Sequence, residues 1–324
     1  MLPYRSVLVT GARGFVGQYL VEALRVHLAS DAVLLCPGRR AGATGDRAGD
    51  GAGFDLLDGE SIDRFLDKHR PDLVFHLAAQ SSVGVSAGGA ADTWRTNVCG
   101  TLNLAQGVAA IVPTATFVFT SSSEVYGAAF KTGVVDEHTP PAPLSCYART
   151  KRAAEDLLSD VLTPTNRCVV FRPSNHSGIG QDVRFVLPAF ADQIARIEAG
   201  LAPPVVRVGS LTAERDFLDV RDVVEAYLGV LKRPGPTMRE TLNIASGQVR
   251  PIRYLLDELV AMSRVTVTIE QDPDRMRSSE VPSARIAAAR LTARTGWRPR
   301  HSIREMIVDV LEDRRRQCFP SSGR

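Results

Sequence analysis

Two short stretches carry residues whose types and spacing suit proton and hydride chemistry. Thr120-Ser121-Ser122-Ser123-Glu124-Val125-Tyr126-Gly127 leaves the end of an apolar run, and Tyr147-Ala148-Arg149-Thr150-Lys151 opens a helical stretch downstream. A spacing of four places Tyr147 and Lys151 on one helical face, so an ammonium lies near a phenol. A phenol with an ordinary pKa of about 10 is a poor acid–base group at neutral pH. A neighbouring positive charge favours the phenolate and brings that pKa toward the working range. Ser122 offers a hydrogen bond to the same substrate oxygen, polarising a carbonyl that receives hydride. Taken alone, the Tyr–Lys spacing also suits a surface tyrosine, and what surrounds it decides.

The chain begins with a second signal. Ser6-Val-Leu-Val-Thr10 is an apolar run without alternation, as in a central parallel strand covered on both faces. Gly11, Gly14 and Gly17 follow at spacing three, and Phe15, Val16, Leu20, Val21 and Leu24 then recur at helical spacing. A strand turning tightly into a helix presents unpaired N–H groups and a positive dipole end to phosphates, so this turn is read as a dinucleotide site.

The elements that must position these groups alternate along the first half. Strands are expected at Ala32–Cys36, Asp72–His76, Thr116–Thr120 and Arg167–Phe171, with helical stretches around Ile62, Phe65 and Leu66 and around Leu102, Leu104 and Val108. Such alternation implies right-handed crossovers and an α/β fold: a doubly wound, Rossmann-type parallel sheet whose ligand sits past the strands' carboxyl ends. The second strand ends in Pro37-Gly38-Arg39-Arg40, where an NAD-specific fold would place an acid; Arg39 and Arg40 would pair with a 2′-phosphate, a basic surface loop being the alternative. Phe54-Asp55-Leu56 is expected to end an edge strand, with Asp55 reaching the adenine. His76 reads as a strand-end histidine satisfied by its neighbours, and Asn97 as a helical residue bridging adjacent loops.

Bulk properties narrow the class. Charged residues make up 23% of the chain with a net charge of +3, interspersed until Arg314-Arg315-Arg316, which argues against nucleic acid as a partner. The five cysteines are scattered without metal-ligand spacing, so a reduced cytoplasmic protein without a metal site is expected. With the first strand beginning so early no leader peptide is expected, and no apolar run is long enough to span a membrane.

With these motifs together, the sequence resembles the extended short-chain dehydrogenase/reductases, in their nucleotide-sugar branch. GxxGxxG at Gly11–Gly17, His76-Leu-Ala-Ala79, Ser-Ser-x-Glu-Val-Tyr-Gly and Tyr147-x-x-x-Lys151 occur in that family's order. Further similarity runs through Arg172-Pro-Ser-Asn175-His176-Ser-Gly-Ile-Gly-Gln181, Arg215-Asp-Phe-Leu-Asp-Val-Arg-Asp-Val223, Gln271–Glu280 and Thr295-Gly-Trp-Arg-Pro299. This pattern is similar to the reductases of GDP-4-keto-6-deoxy-D-mannose that form GDP-D-rhamnose with NADPH. The resemblance implies catalytic roles for Ser122, Tyr147, Lys151 and Glu124. It implies NADP(H) contacts from Gly11, Arg13, Gly14, Phe15, Val16, Gly17, Arg39, Arg40, Asp55, Leu56, Leu77, Ala78, Ala79, Tyr147, Lys151 and Arg172. Substrate contacts are implied for Ser82, Ser122, Asn175, Arg215, Arg277 and Glu280, the two arginines serving the diphosphate. It further implies a cofactor domain of residues 1–172 plus about 217–245, a smaller interleaved α/β substrate domain of about 173–216 and 246–324, and a homodimer.

The chain departs from the pattern at Ser174 (usually aromatic), Cys146 (usually proline), the bulky Arg149 and Ala87-Gly88. Ser174 and Ala87 bear on which sugar is taken. GDP-mannose 4,6-dehydratase is the nearest rival activity, with Glu124 as its extra base. Against it, the loop after Arg40 lacks an arginine-rich extension, and Asn175-His176 continues Ser-Gly-Ile-Gly-Gln. A reductase forming GDP-6-deoxy-D-talose would share the same residues and differ in which face of the keto carbon meets the nicotinamide. A catalytically silent NADPH-binding regulator would share the fold but would be expected to lose Tyr147 or Lys151.

Overall fold

The structure, a computed structural model, describes residues 1–38, 53–80, 89–233, 235, 237–275 and 281–318. Its strands are β1 (Ser6–Thr10), β2 (Val33–Leu35), β3 (Leu73–His76), β4 (Thr116–Thr120), β5 (Cys168–Pro173), β6 (Asn175–Ser177), β7 (Val205–Val208), β8 (Glu214–Asp219), β9 (Arg239–Ile244), β10 (Val249–Pro251) and β11 (Thr268–Gln271). The six-stranded sheet runs β2-β1-β3-β4-β5-β9, parallel throughout. Strand order reverses between β1 and β3, the switch point outside which such sheets bind ligands.

Helices α1 (Phe15–His27), α2 (Gly59–His69), α3 (Ala90–Trp94), α4 (Gly100–Ile111), α5 (Cys146–Val161), α6 (Val186–Glu198), α7 (Val220–Lys232), α8 (Ile252–Ala261), α9 (Ala289–Thr295) and α10 (Ile303–Cys318) cover the sheets. Side-chain alternation sorts the first sheet into two cores. Val7, Val9, Phe75, Val118, Val169 and Phe171 pack with Leu20 and Leu24 of α1 and Val223 and Tyr227 of α7. Leu8, Val74, Phe117, Phe119 and Val170 pack with Ile62 and Leu66 of α2, Leu104 and Val108 of α4, and Ala154 and Leu158 of α5. A third core gathers α6, α8 and α10 against β7, through Phe190, Ile194, Val206, Leu256, Ile307 and Val310. Nearby lie a three-stranded sheet, β10-β8-β6, and the parallel pair β11-β7.

The expected strands form, shifted by a residue or two, but Phe54–Leu56 does not. Asp55 makes a turn instead: its carboxylate accepts from Leu57 N (2.9 Å) and its carbonyl from Asp58 N (2.9 Å). Asp58 then caps α2 by accepting from Ser61 N at 3.1 Å. Capping and strand pairing compete for the same backbone, and here the cap wins.

Asp222 fixes the approach to α10. Nearly fully buried, it accepts from Arg300 N (3.1 Å) and His301 N (3.0 Å) and bonds His301 Nδ1 (2.9 Å). Asp222→Ala strands these donors and is expected to cost about 2–4 kcal/mol, measured by urea unfolding.

Candidate active site

The turn from β1 into α1 is shaped for close approach of a ligand to backbone. Gly11 has φ +73°, and a Cβ there would lie 2.7 Å from Ala78 N. A Cβ on Gly17 would land on the Gly11 carbonyl oxygen. Gly14 N donates to Gly11 O at 2.9 Å, and no side chain caps the start of α1. The helix thus presents free N–H groups to a groove of about 270 Å³ lined by Gly11, Phe15, Ala78, Ser122, Tyr147 and Lys151. Gly14, Val16, Gly17, Leu77 and Ala79 line it as well. Side chains at Gly11 and Gly17 would collide with the backbone of Ala78 and of Gly11 and Ala12, so the glycines let the turn close tightly, and the groove beside it suits a nucleotide diphosphate. Exposed Arg13 lies at the turn's edge, its guanidinium carbon 3.7 Å from where a Cβ on Gly38 would stand.

The chemistry-bearing residues meet at the carboxyl end of β4. Ser145 caps α5 by accepting from Ala148 N (3.0 Å), which sets the first turn carrying Tyr147. Tyr147 shares a hydrogen bond with Ser122. Lys151 Nζ donates to Thr120 O at 2.6 Å and lies 4.7 Å from the centroid of the Phe119 ring and 6.0 Å from that of Tyr147. Burial pulls the lysine down to about 7, opposed by the Glu155 charge. Tyr147 is pushed up, first by burial and then by the charge of Glu124, with the Ser122 hydrogen bond opposing. At the phenol burial dominates, because the ammonium is turned onto a carbonyl. The phenol is held in the protonated form, which donates.

Glu124 N donates to Ser122 Oγ (3.2 Å), and Ser145 Oγ donates to the Glu124 carboxylate (3.4 Å). That carboxylate acts on Arg215, whose guanidinium also donates to Glu214 O at 2.8 Å. Glu124, Arg215 and Asn175 all line a second cavity of about 640 Å³, into which Arg184, Arg207 and Arg275 also face. Glu124, Asn175 and Phe185 border both cavities, so one opens beside the other. The larger volume suits a sugar nucleotide, and its guanidinium groups suit a diphosphate.

One expected cofactor contact falls elsewhere. Arg172 is buried and does not border the nucleotide groove: its Nε and Nη2 reach Glu155 at 2.9 and 2.5 Å, and its Nη1 reaches Tyr126 OH at 3.1 Å. Asp55 engages one carboxylate oxygen in its own turn and keeps the other for an adenine, and Leu56 packs beneath Gly100. His76 is satisfied by its neighbours as expected: pushed down to about 3 by burial, it bonds Thr10 and Thr101 at 2.7 and 2.9 Å. Asn97 sits in the π-helical turn Arg95–Cys99 between α3 and α4, where it bridges Gln80 and Thr150. Arg39, Arg40, Ser82, Arg277 and Glu280 lie outside the described residues. Sequence reasoning passed over Glu155, four residues beyond Lys151, and His176, which borders the groove and is held by Ser174 O at 2.9 Å.

Residues 8–310 match the family model described as GDP-mannose 4,6 dehydratase. The chain belongs to this family, a branch of the extended short-chain dehydrogenase/reductases. A relative from Pseudomonas aeruginosa, GDP-6-deoxy-D-mannose reductase, is 37% identical over 311 residues, covering 95% of this chain and 97% of the relative. Among solved structures of similar fold, RMD from P. aeruginosa complexed with NADPH superposes with a TM-score of 0.81 at 36% identity, covering 97% of this chain and 99% of the other. GDP-6-deoxy-D-talose 4-dehydrogenase from Aggregatibacter actinomycetemcomitans is more distant within the superfamily, at 25% identity over 282 residues and 86% of each chain.

Proposed function

We propose that this chain reduces GDP-4-keto-6-deoxy-D-mannose to GDP-D-rhamnose at the expense of NADPH. The observation that carries the proposal is the meeting of Ser122, Tyr147 and Lys151 where the glycine-turn groove opens beside the arginine-lined cavity. The relative named GDP-6-deoxy-D-mannose reductase and the NADPH-bound neighbour support the choice of sugar and cofactor. When bound, NADPH supplies the hydride.

The chain's residues do the rest. Ser122 orients the keto oxygen, and Tyr147, protonated in its buried setting, delivers a proton to the alkoxide forming there. Lys151 holds the cofactor ribose, its ammonium anchored on the Thr120 carbonyl 6.0 Å from the centre of the phenol ring. Gly11, Arg13, Gly14, Phe15, Val16, Gly17, Leu77, Ala78 and Ala79 cradle the dinucleotide, with Arg39 and Arg40 reading the 2′-phosphate. Asn175, Arg215, Ser82, Arg277 and Glu280 hold the GDP-sugar. Glu124, between Ser145 and Arg215, keeps the second cavity's edge charged and hydrogen-bonded. A cofactor unit of residues 1–172 and about 217–245, a substrate unit made of the remainder, and a cytoplasmic homodimer complete the proposal.

Mixing the purified chain with NADPH and the keto sugar should consume the two in equal amounts, followed by absorbance. NADPH stable with the keto sugar, or GDP-mannose converted without net NADPH loss, would contradict the proposal; the second result would promote Glu124 to a base. Arg215→Gln is expected to raise KM for the sugar nucleotide by about tenfold with kcat changed much less, since a charge-assisted contact to the diphosphate acts equally in ground and transition states.

A further inference from the structure

Glu155 has no part in the proposed reaction, yet it is bound to the strand end that does. It stands at the third position of a regular series along α5. Tyr147, Lys151 and Glu155 are one turn apart on one helix face, and they meet three consecutive residues at the exit of β4. Tyr147 bonds Ser122, Lys151 bonds the Thr120 carbonyl, and Glu155 Oε1 accepts from Ser121 Oγ at 2.5 Å. The Glu155 carboxylate is buried, 7% exposed, and Arg172 grips it through two bonds from β5. Strand parity explains the convergence. Phe117 and Phe119 of β4 and Val170 of β5 point toward α5, so Ser121 and Arg172, two residues further along their strands, do as well.

We propose that Glu155 is a positioning residue for this reaction, fixing the strand end that carries Ser122 and setting a negative charge one helical turn from Lys151. The inference rests on the reductase reading for its kinetic consequence, while its geometric and electrostatic parts stand on the chain alone. A buried ammonium that donates to a neutral carbonyl loses its proton readily unless a negative charge lies near. Glu155 is that charge, and it opposes the burial acting on Lys151. Among the described residues, the remaining ionisable groups around the lysine do not replace it. His76 on β3 is buried and neutral, while Tyr147 and Tyr227 are phenols held protonated. Arg172 from β5 and Arg152 on α5 pair with Glu155 itself, at 2.5 and 3.5 Å. Glu124 lies on the Tyr147 side, where it acts on the phenol and on Arg215.

Removing Glu155 alone would strand the Arg172 charge, so both members of the pair are replaced together, as Glu155→Gln with Arg172→Met. The readout is the titration of Lys151 by NMR of protein carrying ¹³C-labelled lysine, with the Lys151→Arg spectrum assigning the resonance. The Lys151 midpoint is expected to lie about one pH unit lower in the paired variant than in Arg172→Met, the comparison that isolates the Glu155 charge. In a second variant, Ser121→Ala, the ion pair stays intact and the link to the strand end is lost. Its kcat is expected to fall about tenfold with NADPH affinity unchanged, and the Lys151 midpoint to stay in place. Equal midpoints in the paired variant and in Arg172→Met, or an unchanged kcat in Ser121→Ala, overturns the proposal. Ser121→Ala also serves if the paired variant does not fold. The NMR titration needs no sugar, so it judges Glu155 even if the wild-type chain leaves the keto sugar untouched, a result that would instead end the reductase reading.

Discussion

Tyr147→Phe is expected to lower turnover of the keto sugar by at least about a hundredfold while NADPH affinity stays within about twofold. The substitution removes one oxygen and leaves the ring that lies 6.0 Å from the Lys151 ammonium. The cradle at Gly11 and Gly17 is untouched, so nucleotide binding persists. What goes is the proton donor that the structure places against Ser122, and the alkoxide must then find its proton from water. Single-turnover kinetics beside a fluorescence titration of NADPH separates the two effects. Near-normal turnover would remove Tyr147 from the acid role. The pH dependence adds a sign: Tyr147 is raised by burial, so the donating form persists above neutrality. Rate loss on the alkaline side then reports Lys151, which burial brings to about 7, rather than the phenol.

Gly17→Ala carries the second large effect, this time on the cofactor. The new methyl would collide with the Gly11 carbonyl oxygen and would also lie 2.8 Å from Ala12 Cα. Both neighbours are backbone, so neither can rotate aside, and α1 must move off the turn. The free N–H groups at its start then no longer aim into the groove. NADPH affinity is expected to fall by at least about a hundredfold, with a lower Tm because α1 packs Leu20 and Leu24 into the sheet core. Calorimetric titration and thermal melting measure the two. Wild-type affinity would mean that the groove is not the nucleotide site.

The sheet was legible because its strands are short apolar runs separated by helical periodicity, and runs such as Val7-Leu8-Val9 admit few competing readings. The Tyr147/Lys151 pairing was legible for the same kind of reason, since spacing fixes which residues share a helix face. Phe54-Asp55-Leu56 misled because an apolar–acid–apolar triplet also describes a turn leading into a cap, and Asp58 with Ser61 decides between them. Arg172 misled in another way. A strand-end arginine reaches the ligand or the flanking helix according to strand parity, and Val170 already shows that its side of β5 faces α5. The same parity, applied to Phe119, would have placed Ser121 beside Glu155. The protonation of Tyr147 depends on burial and on Glu124, a balance of environment that spacing alone does not carry.

The central claim is direct reduction of the sugar's keto carbon, and isotope transfer tests it most directly. NADPH deuterated at C4 of the nicotinamide, in each configuration in turn, is offered with GDP-4-keto-6-deoxy-D-mannose, and the product is examined by NMR. The account predicts GDP-D-rhamnose with deuterium at C4 of the sugar from one of the two labelled cofactors. Deuterium at C4 in the talose configuration would contradict the assigned product. A keto sugar recovered unlabelled beside intact NADPH would contradict the reduction itself.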